Sequence, residues 1–330
     1  MRKIASTLLF FFCAVMASNA QITMSHAAKP VDKEELIAAY DSTKNYLGNT
    51  NVRSYVGQLL YVNGKSETLQ GYGYDNFKTE KEPGVLSGRY GNPAASSNFN
   101  TKYEDLAGKY FVVLDVQPHS KQKEGSYVYG KKWWFYLQNR DDESDTVWFE
   151  YDGEFEHTFP FITISYFNYL KNSFVGKKYI SAYSVREDGT FVSRVREYDF
   201  HTGELIPQTK EDIWEVIDVT IEDKYYDLVL VVKNQKGNIS VVDTDYVNPL
   251  SNGQIVLFTN EEYKSLCSKY GGEYMNLVRQ GKIRIGMPEA LLIMSWGMPE
   301  DINRSSSGQA QWVYDSQYVY VKGGKITAWN

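Results

Sequence analysis

Cysteine is nearly absent: the 330 residues hold two, Cys13 and Cys267. Cys13 falls within an apolar N-terminal run that reads as a removable export segment, so the processed chain keeps a single thiol. That excludes an internal disulfide and any structural zinc site built on several thiolates. Histidine is also scarce. His26, His119, His157 and His201 stand apart, and no two have the i, i+4 spacing of a helical metal site. No metal is expected. Long hydrophobic runs are missing as well. Residues 8–17 form an apolar core far shorter than the ~20 residues that span a bilayer. Positive charge is in deficit, with 35 Lys and Arg against 41 Asp and Glu. A polyphosphate backbone demands the opposite balance, so nucleic acid is not an expected partner. Lys131-Lys132 leads at once into Trp133-Trp134-Phe135 and reads as a strand entrance. No serine elbow, phosphate loop or dinucleotide glycine fingerprint occurs, and no cofactor or catalytic residue is expected.

What is present begins with compartment. Arg2 and Lys3 precede the apolar core, and Ser18-Asn19-Ala20 offers small residues for cleavage after Ala20. Residues 1–20 therefore read as a signal peptide, and the processed chain is expected in the periplasm or outer envelope with no transmembrane segment. Residues 21–50 read as a leader plus a short helix, capped by Asp32 and presenting Leu36, Ile37 and Tyr40.

Aromatic content is high, at 15% with 27 tyrosines, and tyrosine and β-branched residues favour strands. The fold class expected is α+β and β-dominated: tandem small antiparallel barrel-like domains, then a helix pair on a three- or four-stranded antiparallel sheet. Residues 51–172 form the first β-rich region. Asn63-Gly64 in it is a hairpin signal, and 78–102 is a long Gly/Pro/Ser/Asn-rich loop. Residues 173–258 form the second, with Lys236-Gly237-Asn238 as a hairpin turn. Residues 161–170 fit a helix or a strand equally. A faint repeat links them. Tyr55-Val56-Gly57-Gln58, Leu106-Ala107-Gly108-Lys109 and Phe174-Val175-Gly176-Lys177 each precede a strand. The second and third also share a later Val-Leu-Asp-Val or Val-Ile-Asp-Val strand. This layout resembles a bacterial SH3-like barrel.

Four tryptophans are the candidate binding residues: Trp133, Trp134, Trp148 and Trp214. Neighbours in a strand face opposite sides, so one of Trp133 and Trp134 enters the core and the other lies on the opposite face. An outward ring stacks on a sugar, fills a partner pocket or is covered by a neighbouring domain. The acidic stretch from Asp141 to Asp145 reads as a solvated hairpin turn, because it lacks the glycine and the distant glutamate of a calcium loop. Cys267 shares a helical face with Tyr263 and Tyr270 and reads as a small packed residue.

Residues 259–330 carry the one ordered signature. Residues 261–280 look helical with a break at Gly271-Gly272. Gly286-Met287-Pro288-Glu289 starts a helix that Gly297 stops, and aromatic strands follow with turns at Asp315-Ser316 and Gly323-Gly324. Gly286-Met287-Pro288-Glu289, Trp296-Gly297-Met298-Pro299 and Gln311-Trp312-Val313-Tyr314 resemble the pattern of SmpA/OmlA (BamE-like) modules, whose fold is shared with the β-lactamase inhibitor protein. The resemblance implies helices on an antiparallel sheet, used for protein contacts in the bacterial envelope, with no catalytic residues. The function expected is thus non-enzymatic binding of another envelope protein. The alternative is a glycan- or peptidoglycan-binding protein, or an unrecognised hydrolase, that uses the Trp/Tyr-rich β region.

Overall fold

A computed structural model describes residues 38–81, 100–122 and 130–330. The segment with Cys13 that reads as an export signal, the stretch up to Ile37 that reads as a leader and helix, and most of the 78–102 loop lie outside the described residues. Ala38, Ala39 and Tyr40 are not helical, and Tyr40 packs on the first core.

The first region is a six-stranded antiparallel sheet. A 3-10 turn at Val52–Tyr55 enters β1 (Leu59–Val62), and a short helix α1 (Glu67–Gln70) leads to β2 (Phe77–Lys78). Helix α2 (Tyr103–Leu106) precedes β3 (Tyr110–Pro118), β4 (Lys132–Asn139), β5 (Thr146–Asp152) and β6 (Phe161–Thr163). The strand order is β2-β5-β4-β3-β1-β6. One face packs Tyr55, Phe111, Phe135, Phe149, Tyr151 and Phe161 into a ring-rich core. The alternation is regular: in β5, Val147, Phe149 and Tyr151 are buried and the residues between them are not.

The chain then turns straight into α3 (Ile164–Phe174). The ambiguous segment 161–170 is therefore both things in succession, with the change at Thr163. The second region holds β7 (Lys178–Ser181), a hairpin of β8 (Tyr183–Val185) and β9 (Phe191–Ser193), and then β10 (Trp214–Ile221), β11 (Leu228–Asn234), β12 (Ile239–Asp243) and β13 (Leu257–Thr259). Its main sheet runs β12-β11-β10-β7-β13.

These two sheets follow one plan. Leu60 faces both Phe111 and Thr163, and Tyr179 faces both Trp214 and Thr259. The long second strand is bulged at the same point in each copy, between Val113 and Asp115 and between Val216 and Asp218. The skipped residues, Leu114 and Ile217, are exposed in both. Each aspartate Oδ1 accepts the next residue's N–H, from Val116 and from Val219, at 2.8 Å. A 3-10 turn, Glu156–Thr158 or Thr244–Tyr246, precedes the last strand in each copy. Here the structure corrects the phase of the sequence repeat. Gly176 N–H donates to Val216 O, and the equivalent bond runs from Gly57 N–H to Val113 O, each 2.8 Å. Gly108 sits at the other end of β1, where it donates to Val62 O. Gly57 and Gly176 share a φ above +80° (81° and 84°), a region that favours glycine.

Asn63-Gly64 makes no hairpin. It receives the β10–β11 loop instead: Asn63 Nδ2 donates to Tyr226 O at 2.7 Å, and a Cβ on Gly64 would lie 2.1 Å from the Tyr226 ring. Glycine is needed there to make room for that ring. Tyr226 itself adopts φ +62°, which exposes its carbonyl to Asn63.

The third region comprises α4 (Asn260–Tyr270), α5 (Gly272–Arg279), α6 (Glu289–Trp296) and the sheet β14 (Asp301–Arg304), β15 (Gln309–Tyr314), β16 (Gln317–Lys322) and β17 (Lys325–Trp329), ordered as numbered. Thr259 Oγ1 caps α4 by accepting Glu262 N–H. Phe258, Met275, Met287, Leu291, Trp312 and Val319 are central to its core, and Cys267 packs against it part-buried. The fold is thus α+β and β-dominated as expected, with three helices where a pair was expected, because Gly271 splits α4 from α5, and a four-stranded closing sheet. Among the described residues, no helix is long and apolar enough to cross a membrane.

Candidate functional site

The four tryptophans are not brought together. Trp133 is the ring that faces the first core, at its margin, and its Nε1–H donates to Asn49 Oδ1 at 2.8 Å. Trp134 lies on the opposite face, yet it is the more deeply buried of the two, stacked on His119 at 5.6 Å. Trp214 is buried in the second core. Burial removes Trp134 and Trp214 as stacking platforms for a ligand. Trp148 remains partly open, but its ring already stacks on Tyr136 at 4.6 Å. His119 is likewise buried and not a surface residue, with Nδ1 accepting Lys121 N–H.

The acidic turn satisfies itself. Asp142 Oδ1 accepts from both the N–H and the hydroxyl of Ser144, and Asp145 Oδ2 accepts from Asn139 Nδ2. The Ser144 bonds hold the Asp142 carboxyl below the usual range. Among the described residues, no group of three or more His, Cys, Asp or Glu is placed to hold a metal ion.

Two surfaces do present recognition chemistry. One is the outer face of the C-terminal sheet. Register puts Asn303, Gln311, Tyr320 and Ala328 in one row, and Asp301, Val313 and Tyr318 in the next. None of these residues is buried, whereas Trp312, Val319, Val321 and Ile326 on the other face are. The short sequence motifs lock this sheet to its helices. Gly286 N–H donates to Ile326 O and Ile326 N–H to Met287 O, so the Gly-Met-Pro-Glu segment straps the edge of β17. Tyr314 donates its hydroxyl to Gly297 O at 2.9 Å and meets the Trp296 ring edge-on at 5.5 Å. Burial raises the Tyr314 phenol well above its ordinary value.

The other surface is a cavity of about 670 Å³ beside β12, lined by Tyr198, Phe200 and Tyr225 with Arg196, Glu197 and Lys224. The segment before β10 is laced to the edge of β12, through Arg196 N–H to Val241 O and Phe200 N–H to Ile239 O. Asp199 then caps the following turn by accepting from His201 and Thr202 N–H. This lacing leaves the rings of Tyr198 and Phe200 exposed. Arg196 anchors the floor, 2.9 Å from Asp243 and 3.3 Å from Asp227. Burial raises the Asp227 carboxyl, and Arg196 beside it opposes the rise. Glu197 Oε1 is sealed from solvent without a hydrogen-bond partner. Sequence reading missed this cluster because tryptophans drew attention for their ring area, and Tyr198, Phe200 and Tyr225 sit in stretches without strand alternation.

No protein-family model matches the chain, and no curated protein or solved structure matches it. Its geometry is therefore the basis for a functional reading.

Proposed function

We propose that this chain is an exported, non-enzymatic envelope protein that binds another protein through the outer face of its C-terminal sheet. The observation that carries this reading is that face itself: an unburied row of Gln311, Tyr320 and Ala328 beside Val313 and Tyr318. Tyrosine on a rigid strand supplies contact area with little rotamer entropy to lose, and it is enriched at interfaces. The strapping of Gly286-Met287-Pro288-Glu289 and the Tyr314–Gly297 bond support a SmpA/OmlA-like reading, because the resembling segments are the ones that meet. The shared strand order of the two β regions supports the SH3-like reading. The signal-like N-terminus supports export. To test this, a photo-crosslinking residue is placed at Tyr318 in cells. One discrete adduct is expected, and Tyr320→Ala should weaken retention of that partner about tenfold, the effect of a modest interface anchor. Absence of any adduct at Tyr318, Gln311 and Val313 sinks the reading.

A second reading, saccharide binding, is favoured by the aromatic cavity. Exposed rings of Tyr198, Phe200 and Tyr225 line it beside Arg196 and Lys224, which suits a ligand with apolar ring faces and hydroxyl groups. Titration with soluble cell-wall saccharides should show saturable binding that Tyr198→Ala and Tyr225→Ala each weaken about tenfold, with Trp148→Ala unchanged. Equal loss in all three variants, or no binding by the unmodified chain, counts against it.

A further inference from the structure

Arg279 is a charged side chain with no charged partner among the described residues. It closes α5, is only 6% exposed, and bridges the third region to the second. Nε and Nη2 both donate to Ser181 O, at 3.0 and 2.9 Å, and Nη2 also donates to Lys210 O at 2.8 Å. Its guanidinium lies over two rings, 5.1 Å from the Tyr183 centroid and 5.3 Å from that of Tyr263. Tyr183 is held in turn by its hydroxyl bond to Asn276 Oδ1. No carboxylate pairs with Arg279 among the described residues, where Arg196 by contrast has three. Burying a guanidinium in this way is costly, and carbonyls and ring faces offset the cost only in part. Nη1 donates to no carbonyl among the described residues, and the Tyr263 hydroxyl lies within reach of the guanidinium.

Arg279 lines a cavity of about 150 Å³ between the β8–β9 hairpin and α5. Arg194 lines it too, without an ion pair among the described residues, its guanidinium 5.4 Å from the Tyr246 ring centroid. So do Ser184, Gln254 and Gln280, and the lining contains no aspartate or glutamate. In a chain of net charge −6, this is a local positive site. Its volume is below the ~300 Å³ of sites that enclose a whole drug-sized ligand, so it suits the head group of a larger molecule or a small free ion. A planar guanidinium, fixed by two rings and two carbonyls, is preorganised for an oxyanion.

We propose that this cavity binds an oxyanion, a carboxylate or phosphate group, held by Arg279 Nη1 with Arg194 at its rim. The site is separate from the sheet face and the aromatic cavity, and it stands or falls without them. The test titrates the full chain at constant ionic strength with sodium phosphate and, separately, sodium acetate, against sodium chloride, using calorimetry and thermal unfolding. Saturable binding of phosphate or acetate, with a rise in melting temperature that chloride does not give, is the expected result. Phosphate alone points to a phosphorylated ligand, and acetate alone to a carboxylate such as a chain terminus. Ser184 is exposed, so Ser184→Asp should fold while adding a competing carboxylate to the lining. It should weaken binding at least about tenfold, and Arg194→Ala should weaken it less. No saturable binding of either anion overturns the proposal, and so does binding that Ser184→Asp leaves unchanged.

Discussion

Trp214→Ala should lower the unfolding free energy by about 3–5 kcal/mol, the range for deleting a large buried ring, whereas Trp148→Ala should cost about 1 kcal/mol, the size of one aromatic pair. The difference follows from where the same residue type sits on the same plan. Trp214 begins β10, faces Tyr179 on one side and Asn234 on the other, and is buried among Leu170, Phe174, Val216 and Val232. Its counterpart in the first copy is Phe111, equally buried against Leu60 and Asn139. Truncation at either site leaves a cavity that two flanking strands cannot close without losing register. Trp148 lies on the other face of β5 and loses mainly its contact with Tyr136. Urea unfolding of the two variants measures this. Comparable losses would mean that the β-sheet faces are assigned wrongly. Trp134→Ala falls in the costly class as well, because Trp134 is buried on the outward face. Loss of a ligand in that variant would report on folding, not on recognition.

Much of the architecture was legible because it rests on local chemistry. Aromatic and β-branched content marked 51–172 and 173–258 as β-rich, and β1 to β12 form there. Gly271-Gly272 divided α4 from α5, and Gly297, at φ +86°, stopped α6. The C-terminal hairpin turns at Asp315-Ser316 and Gly323-Gly324 formed as read. What was not legible depended on partners distant in sequence. Asn63-Gly64 has the composition of a hairpin turn, but its glycine serves to admit Tyr226, 162 positions onward (226 − 64). Gly108 and Gly57 carry similar flanking residues, and only the hydrogen bond to Val113 O distinguishes the true counterpart of Gly176. Alternation placed Trp133 and Trp134 on opposite faces correctly, but it said nothing of which face would be covered. The same limit applies to the sites. Nothing in the sequence singles out Arg279, whose isolation from any carboxylate among the described residues appears only when Ser181, Lys210, Tyr183 and Tyr263 converge on it.

The protein should unfold in alkali between about pH 10 and 12, because four tyrosines of the first core are interlocked. Tyr40 and Tyr151 lie 5.5 Å from Tyr55 and Tyr46 respectively, and Tyr55 and Tyr151 are 5.9 Å apart. Each hydroxyl donates to a backbone carbonyl: Tyr40 to Lys44, Tyr46 to Asp152, Tyr55 to Asn45 and Tyr151 to Gly48. A phenolate cannot donate, and it would face the carbonyl dipole and its neighbouring rings inside a desolvated core. Burial accordingly pushes Tyr40 and Tyr46 up to about 12, and Tyr55 and Tyr151 higher still. The sign follows from linkage. The unfolded chain releases these protons near pH 10 and the folded chain holds them, so above pH 10 the unfolded state binds fewer protons and stability falls as pH rises. Below pH 10 both states keep the phenols neutral and this contribution is fully present. Tyr46 is the most exposed of the four and contributes least. The measurement is paired: absorbance near 295 nm for phenolate and far-UV circular dichroism for the sheets, followed together against pH. A cooperative phenolate step that coincides with loss of the sheet signal is expected. Smooth phenolate titration centred near pH 10 with an intact sheet signal at pH 12 would show that these hydroxyls are not held in the core.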